Sequence, residues 1–329
     1  MEEIRQDVTS AETTEETAAP REKKKTYNVF SSQKLKDRLF VISLIFLPLL
    51  QFAIFWGYVN FDSFFMAFQS PVESGFNLRN WYRFRLEWTS TDSIQIALKN
   101  TGIFFVISNF VNMPMVLFCS FFLFRRVYGY KAFRVIFYLP NIISGAVMAM
   151  MFKYLCLGDG PIVQLAQFLG IKFPDVVISN GLLNNEITGF NTIMFYAVWS
   201  GFGINMILYL GAMMRIPEEV LESAKIDGIG LFGEFFKMVI PMIWPTLTTM
   251  IVLSLTGLFT WFGPIMILTG GWNNTSTVGW YIFRNIIQYT SVYGLYYPAF
   301  VGLLCTIISI PLVFGVRFIL DKITEAVEY

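Results

Sequence analysis

Most of the side chains in this sequence that could bind a solute are neutral, and several of them lie inside long apolar segments. Asn205 lies in one such segment, and Thr256, Thr260 and Trp261 lie in the next. Amides and hydroxyls can hydrogen-bond a polyhydroxylated solute, and an indole ring can stack on its apolar face. We therefore predict that these four residues line a path for a neutral polar solute. The alternative is hydrogen bonding between helices, which contributes about 0.6–2 kcal/mol per bond in a membrane.

A second group is acidic and lies between two apolar segments, in residues 215–245. Pro217 suits a first helical position, where its missing N–H costs nothing, and Glu218 and Glu219 suit the positive end of the helix dipole. Gly228 suits the position after a helix end. The pattern predicts a short amphipathic helix with Val220, Leu221 and Ala224 on one side and Glu218, Glu219, Glu222 and Lys225 on the other. A helix this short is marginal in water, so it must pack against its own spans or a partner.

Other chemistry is excluded by residue counts. The sequence has no histidine, which rules out histidine-dependent triads and zinc sites, and its three cysteines lie far apart without a CxxC pair. No GxxxxGK[ST] motif occurs, so the chain carries no P-loop of its own. A net charge of +1 gives no reason to expect a nucleic-acid partner. We predict no catalytic residue, no metal site and no cofactor in this chain.

The elements that position these residues are transmembrane helices. The chain is 55% hydrophobic and only 14% charged, with a mean hydropathy of +0.56, which is typical of a polytopic membrane protein. Six apolar segments are each close to the roughly 20 residues that cross a bilayer. They are residues 39–59, 101–124, 134–153, 192–214, 246–269 and 297–320. The fold class is therefore predicted as all-α with six transmembrane helices.

The distribution of basic residues predicts the orientation. With both termini in the cytoplasm, 17 of the 24 Lys and Arg residues lie on the cytoplasmic side and 7 on the outer side. Residues 1–38 are polar and charge-mixed, and we predict a disordered cytoplasmic tail. Residues 39–320 form the transmembrane domain, and residues 321–329 form a cytoplasmic C-terminal tail. The predicted location is the cell (cytoplasmic) membrane, crossed several times.

The source of energy must lie outside the spans if transport is uphill. Ion-coupled carriers usually keep an intramembrane ionisable residue as a relay. The centres of these six segments contain almost none. Five prolines lie within the segments, and Gly263-Pro264 is the position where a break is most expected.

Residues 222–241 resemble the EAA motif of binding-protein-dependent ABC importer permeases. Glu222-Ser223-Ala224, Gly228 and Met238-Val239-Ile240-Pro241 match its spacing, with mild departures at positions 223, 238 and 240. Similar segments elsewhere are characteristic of carbohydrate-uptake permeases of the MalF-like type. They are Asn77-Leu78-Arg79-Asn80-Trp81, Ala97-Leu98-Lys99-Asn100-Thr101 and Tyr138-Leu139-Pro140-Asn141-Ile142-Ile143-Ser144-Gly145.

The resemblance implies the ABC type I importer permease fold and a set of partners. These are a second permease subunit, usually in a heterodimer, two cytoplasmic ATPase subunits that hydrolyse ATP, and an extracytoplasmic solute-binding protein. The implied substrate is a sugar or oligosaccharide. The residues assigned to ATPase coupling are Pro217, Glu218, Glu219, Glu222, Ala224, Asp227 and Gly228. Glu218 and Glu219 have an alternative interpretation as a solvated first turn.

Two other classes of function are weaker alternatives. A stand-alone channel or secondary carrier would leave the EAA-like loop without a role. A membrane-embedded lipid-modifying enzyme would need a cluster of Asp, His or Lys at an interface, and the sequence offers no convincing one.

Overall fold

The computed structural model describes residues 29–70, 75–288 and 294–325, and these described residues form helices and turns without a strand. The chain divides into two compact units, residues 1–59 and 60–329. The first unit contains α1 (Val29–Gln51), followed by a π-helical segment, Phe52–Tyr58. Every side chain described in α1 is exposed, as expected of an apolar helix whose natural surroundings are lipid.

The second unit contains the remaining helices, except for Val59, the first residue of α2. They are α2 (Val59–Ala67), α3 (Arg79–Ser90), α4 (Ser93–Val106), α5 (Met113–Phe124), α6 (Tyr130–Ile142), α7 (Gly145–Leu155), α8 (Pro161–Phe168), α9 (Asp175–Asn180), α10 (Gly189–Met213), α11 (Glu218–Ile226), α12 (Leu231–Glu234), α13 (Ile240–Thr256), α14 (Gly263–Leu268), α15 (Val278–Gln288) and α16 (Tyr296–Glu325). Two π-helical segments, Ile107–Asn112 and Phe235–Val239, join α4 to α5 and α12 to α13.

Both chain ends depart from the predicted boundaries. Helix α1 begins at Val29, inside the predicted tail of residues 1–38, because the Ser, Gln, Lys and Leu residues before position 39 are compatible with a helix. Helix α16 likewise continues to Glu325, inside the predicted tail of residues 321–329. Residues 1–28 and 326–329 lie outside the described part of the chain.

The six-span prediction is confirmed in number, but the third span is bent. Five helical runs are long and apolar enough to cross a membrane: Lys36–Ala67, Ser93–Phe124, Gly189–Met213, Leu231–Thr256 and Tyr296–Ile323. The sixth is the pair α6 and α7, whose axes meet at 99°. The bend arises because Ile143 and Ser144 adopt extended backbone conformations between the two helices.

The fifth span is displaced from the predicted residues 246–269. Its helical run begins at Leu231 and ends at Thr256, so the loop predicted over 215–245 is shorter than expected. Pro241 was expected to precede the span, but the π-helical segment before it widens the turn and leaves room for a ring that lacks an N–H. The expected break is present: α13 ends at Thr256 and α14 begins at Gly263.

Helix α10 lies at the centre of the second unit. It packs against α5, α6, α13 and α14. On one side, Met206 and Met213 are fully buried together with Phe121 of α5 and Val239. On the other, Ile193 packs with α7 and α14. Met213, at the end of α10, and Val239, just before α13, belong to the same buried cluster. The residues between α10 and α13 are therefore anchored at both ends.

A polar cluster fastens α3 to α15 and α16. The Glu87 carboxylate accepts hydrogen bonds from the hydroxyls of Tyr281 and Tyr297, the latter at 2.9 Å. Arg83 pairs with the same carboxylate at 3.0 Å and lies over the Tyr297 ring. Burial raises the pKa of the Tyr281 hydroxyl, so it remains a hydrogen-bond donor at physiological pH.

Candidate coupling loop and solute path

The predicted short helix is present as α11, Glu218–Ile226. The Val220 N–H donates to the Pro217 carbonyl at 3.2 Å, which places Pro217 immediately before the helix. Glu218 and Glu219 occupy the first turn, where the helix dipole favours their charge. The local sequence therefore determines where this helix begins.

Gly228 ends α11 in a Schellman motif. Its φ is +73°, and the Ile229 N–H donates to the Ala224 carbonyl at 3.1 Å. A Cβ at position 228 would have no other atom within 4 Å. Within this chain, the requirement for glycine thus comes from the left-handed backbone and not from crowding.

The two sides of α11 differ as the sequence pattern predicts. Ala224 is buried, and Val220 and Leu221 are half-buried against the chain itself. The outer side exposes three carboxylates, which belong to Glu218, Glu219 and Glu222, and Asp227 is exposed directly after the helix end. The Lys225 side chain, predicted on this side, lies outside the described residues. Val220 and Leu221 thus help to seat α11 on the chain, and its acidic residues remain accessible.

The structure also shows an apolar component of this surface that the sequence reading did not single out. Ile226 is 86% exposed and Phe232 is 64% exposed, on either side of the Gly228 turn. Exposed apolar groups of this size occur at protein contacts and at membrane surfaces. Phe232 lies within the helical run of the fifth span, whereas Ile226 lies outside it. The exposure of Ile226 could have been predicted from its position in the sequence, because it lies outside the apolar stripe formed by Val220, Leu221 and Ala224.

The C-terminal end of the loop is fastened to α5. Phe235 is buried, and its ring centroid lies 5.0 Å from that of Phe121. One residue earlier, the buried Glu234 carboxylate pairs with Arg125 at 3.2 Å. The segment between α11 and α13 is therefore held against α5 by these two contacts.

The four predicted path residues lie in two places. Thr256 and Thr260 are exposed, and their hydroxyls donate to Leu253 and Gly257 carbonyls of their own segment. Trp261 is half-buried and stacks on Phe104, with ring centroids 4.1 Å apart. One face of the Trp261 ring is therefore occupied by Phe104 of the second span and is not available to stack on a solute.

Asn205 belongs to a separate polar zone in the middle of α10. Its amide donates to the Gly201 carbonyl at 3.1 Å. Gly201 also faces Asn112, whose side-chain oxygen is buried without a hydrogen-bond partner among the described residues. Buried polar atoms without partners are uncommon, and a water molecule is one way to satisfy them.

Asn109 and Ser254 add a connection that was absent from the predicted path. The Ser254 hydroxyl donates to the Asn109 side-chain oxygen at 2.8 Å, joining the second and fifth spans. Asn109 and Asn112 both lie in the π-helical segment Ile107–Asn112, and such segments are frequent at functional sites. Their three-residue spacing was the sequence signal for this polar zone.

Residues 112–328 match the family described as binding-protein-dependent transport system inner membrane component. The chain belongs to this family. The match contains α11, the Gly228 turn and the last four candidate spans, so the predicted family resemblance is confirmed. This family consists of transport permeases, and the chain is accordingly a multi-pass membrane component of a binding-protein-dependent transport system.

Individual relatives of this permease include sugar-transport components. It is 32% identical to the probable ABC transporter permease protein YurN of Bacillus subtilis, over 42% of this chain and about half (47%) of that protein. It is 25% identical to the arabinooligosaccharides transport system permease protein AraP of Bacillus subtilis, over 85% of this chain and 87% of that protein.

Solved structures show the same fold. A chain of a bacterial ABC transporter that imports the acidic polysaccharide alginate has a TM-score of 0.75 and 22% identity, covering 89% of this chain and 98% of that one. A chain of a bacterial alginate ABC transporter in complex with an alginate pentasaccharide-bound periplasmic protein has a TM-score of 0.74 and 21% identity, covering 89% of this chain and 97% of that one. The predicted ABC importer permease fold is thus confirmed.

Proposed function

We propose that this permease forms half of the translocation path for a sugar or oligosaccharide and receives its energy through residues 217–228. The carrying observation is α11: its apolar side is seated on the chain, while its three carboxylates, Ile226 and the following Asp227 remain exposed. Such a helix suits docking into a cleft of a cytoplasmic ATPase. The sequence has no P-loop, so ATP is bound by that partner.

The substrate class is supported by the character of the spans and by the relatives. The groups near the centre of the bundle are amides and hydroxyls, namely Asn109, Asn112, Asn205 and Ser254, and they suit a neutral polyol. Related permeases are named for arabinooligosaccharides, lactose and starch degradation products. The proposed assembly contains a second permease subunit, two ATPase subunits and an extracytoplasmic solute-binding protein.

The test is purification of the tagged chain from its native membranes, with uptake of labelled oligosaccharides measured in the same membranes. We expect ATPase subunits and a second permease to co-purify, and we expect uptake to require ATP. Uptake that persists with an ion gradient alone, without a co-purifying ATPase, would support the carrier alternative and contradict the proposal.

A further inference from the structure

A cleft of about 650 Å³ lies beside the first turn of α11. It is bounded by the end of α5, the start of α6, the end of α10 and the residues that lead into α11. Three candidate spans therefore end or begin at its wall: Ser93–Phe124, Gly189–Met213 and the one that starts at Tyr130. The cleft consequently lies at the depth where a bilayer changes from acyl chains to headgroups.

The charge of the cleft is predominantly positive. Arg125, Arg126 and Arg134 line it, and Glu218 is the acidic residue in the described lining. Arg125 is already paired with Glu234. Arg126 and Arg134 are exposed and form no ion pair within the described ranges, which leaves two guanidinium groups available to an anion.

Arg126 adopts a backbone conformation that usually calls for glycine. Its φ is +52°, and the Val127 N–H donates to the Phe122 carbonyl at 3.3 Å, so Arg126 occupies the left-handed position of a Schellman motif at the end of α5. A side chain at such a position strains the backbone. A strained residue of this kind points to a role for its side chain, since glycine would form the same turn without strain.

The rest of the cleft wall is apolar. Leu123, Phe124, Leu210 and Met214 contribute to it. Tyr130, Ile216 and Leu221 complete the uncharged part of the lining. Paired guanidinium groups next to an apolar wall match a molecule that has an anionic head and a hydrocarbon tail.

We propose that this cleft binds an anionic phospholipid, with the headgroup phosphate held by Arg126 and Arg134 and an acyl chain lying along the apolar wall. Basic pockets between transmembrane helices are known to take such headgroups. An acidic protein surface would be complementary to the arginines, but it would leave the apolar wall of the cleft without an apolar partner. The bound lipid lies against Leu221 and Glu218 and thereby supports the position of α11.

The test uses the full chain in detergent, titrated with phosphatidylglycerol, phosphatidylcholine or inorganic phosphate, with bound lipid counted by native mass spectrometry and melting temperature recorded in parallel. We expect phosphatidylglycerol alone to bind and to raise the melting temperature. The Arg126→Gln/Arg134→Gln double variant should bind it roughly tenfold or more weakly. The control is Lys131→Gln, which removes one positive charge from α6, the helix of Arg134. Lys131 is not among the residues that line the cleft, so this variant should bind phosphatidylglycerol like wild type.

Two single variants keep the test decisive if the double variant folds poorly. Arg126→Gly relieves the strained backbone, so it should keep or raise the lipid-free melting temperature while binding phosphatidylglycerol more weakly. Glu218→Gln removes a repelling carboxylate and should bind it more tightly. Equal binding of phosphatidylcholine, equal stabilisation by inorganic phosphate, or unchanged binding in Arg126→Gly would each overturn the proposal. No solute or ATPase is needed, so failure here leaves the transport proposal standing.

Discussion

Both carboxylate oxygens of Glu234 lie 3.2 Å from the Arg125 guanidinium, although 109 residues separate the two in sequence. The Glu234 side chain is only 4% exposed. The pair joins the turn after α5 to the helical run that begins just past the Gly228 turn. It therefore holds the membrane end of the coupling loop at a fixed place on the second span.

Removing one member of this pair should destabilise the fold. We expect Glu234→Ala to cost about 2 kcal/mol or more because it leaves the Arg125 charge without its partner. Adding Arg125→Ala should cost less than the sum of the single changes. The matched control is Arg317 with Asp321, an exposed pair at 3.5 Å, where Asp321→Ala should cost well under about 1 kcal/mol. Thermal unfolding in detergent measures all of these, and equal shifts for Glu234→Ala and Asp321→Ala would contradict the assignment.

Substitutions at Gly228 should separate the turn from the docking surface. Asparagine tolerates a positive φ, whereas a β-branched residue does not, so Gly228→Val should lower the melting temperature and Gly228→Asn should not. Both variants, and Gly228→Asp, should retain less ATPase, because their side chains enter space that is open within this chain. Pull-down of the ATPase gives the second measurement. Full ATPase retention by Gly228→Asn would restrict Gly228 to a purely conformational role.

Charge reversal on α11 should affect coupling unequally. Glu222 and Glu218 are both exposed, but Glu222 holds the position that matches the EAA motif. We expect Glu222→Lys to reduce ATP-driven uptake about tenfold or more and Glu218→Lys to reduce it less, with both proteins inserted normally. Glu186→Lys, another exposed acid remote in sequence from α11, is the control for general charge effects. Similar uptake in all three variants would remove the loop from the mechanism.

The solute path can be tested on two hydroxyls that contribute little to stability. Thr256 and Thr260 donate only to nearby carbonyls, and both are exposed. The Thr256→Val/Thr260→Val double variant should therefore raise the apparent KM for the solute without changing the melting temperature. Thr306→Val on α16 removes a hydroxyl with the same kind of local bond and should leave uptake unchanged. Unaltered kinetics in the double variant would exclude these threonines from the path.

Topology can be read with cysteines at two exposed positions. Arg85 lies in α3, and Gly230 lies just after the Gly228 turn. Of the native cysteines, Cys156 and Cys305 are buried and Cys119 is half-buried, so the cysteine introduced at each exposed position is compared with the unsubstituted chain as the background for an impermeant thiol reagent. We expect Arg85→Cys to react from outside intact cells and Gly230→Cys to react only from the cytoplasmic side. Reaction of both from outside would overturn the predicted orientation.

The sequence predicted those features whose causes are local. Pro217, the two acids that follow it and Gly228 each act within a turn of their own position, so α11 and its end appear where the pattern placed them. The start of the fifth span was misplaced because a proline reads as a helix break, and the π-helical segment that accommodates Pro241 has no local signature. The Arg125 and Glu234 pair could not be read at all, since it depends on how α5 and α12 are packed together.

The right-angled corner at Ile143 and Ser144 has a consequence for hydration. An extended pair of residues leaves the last carbonyls of α6 and the first N–H groups of α7 without helical partners. Hydrocarbon cannot form hydrogen bonds with these backbone groups, and each group without a partner there costs several kcal/mol. The nearby Asn141 amide is likewise buried without a protein partner in the described chain. The corner therefore calls for polar partners from outside the described chain, such as water, within a segment that hydropathy alone would describe as dry.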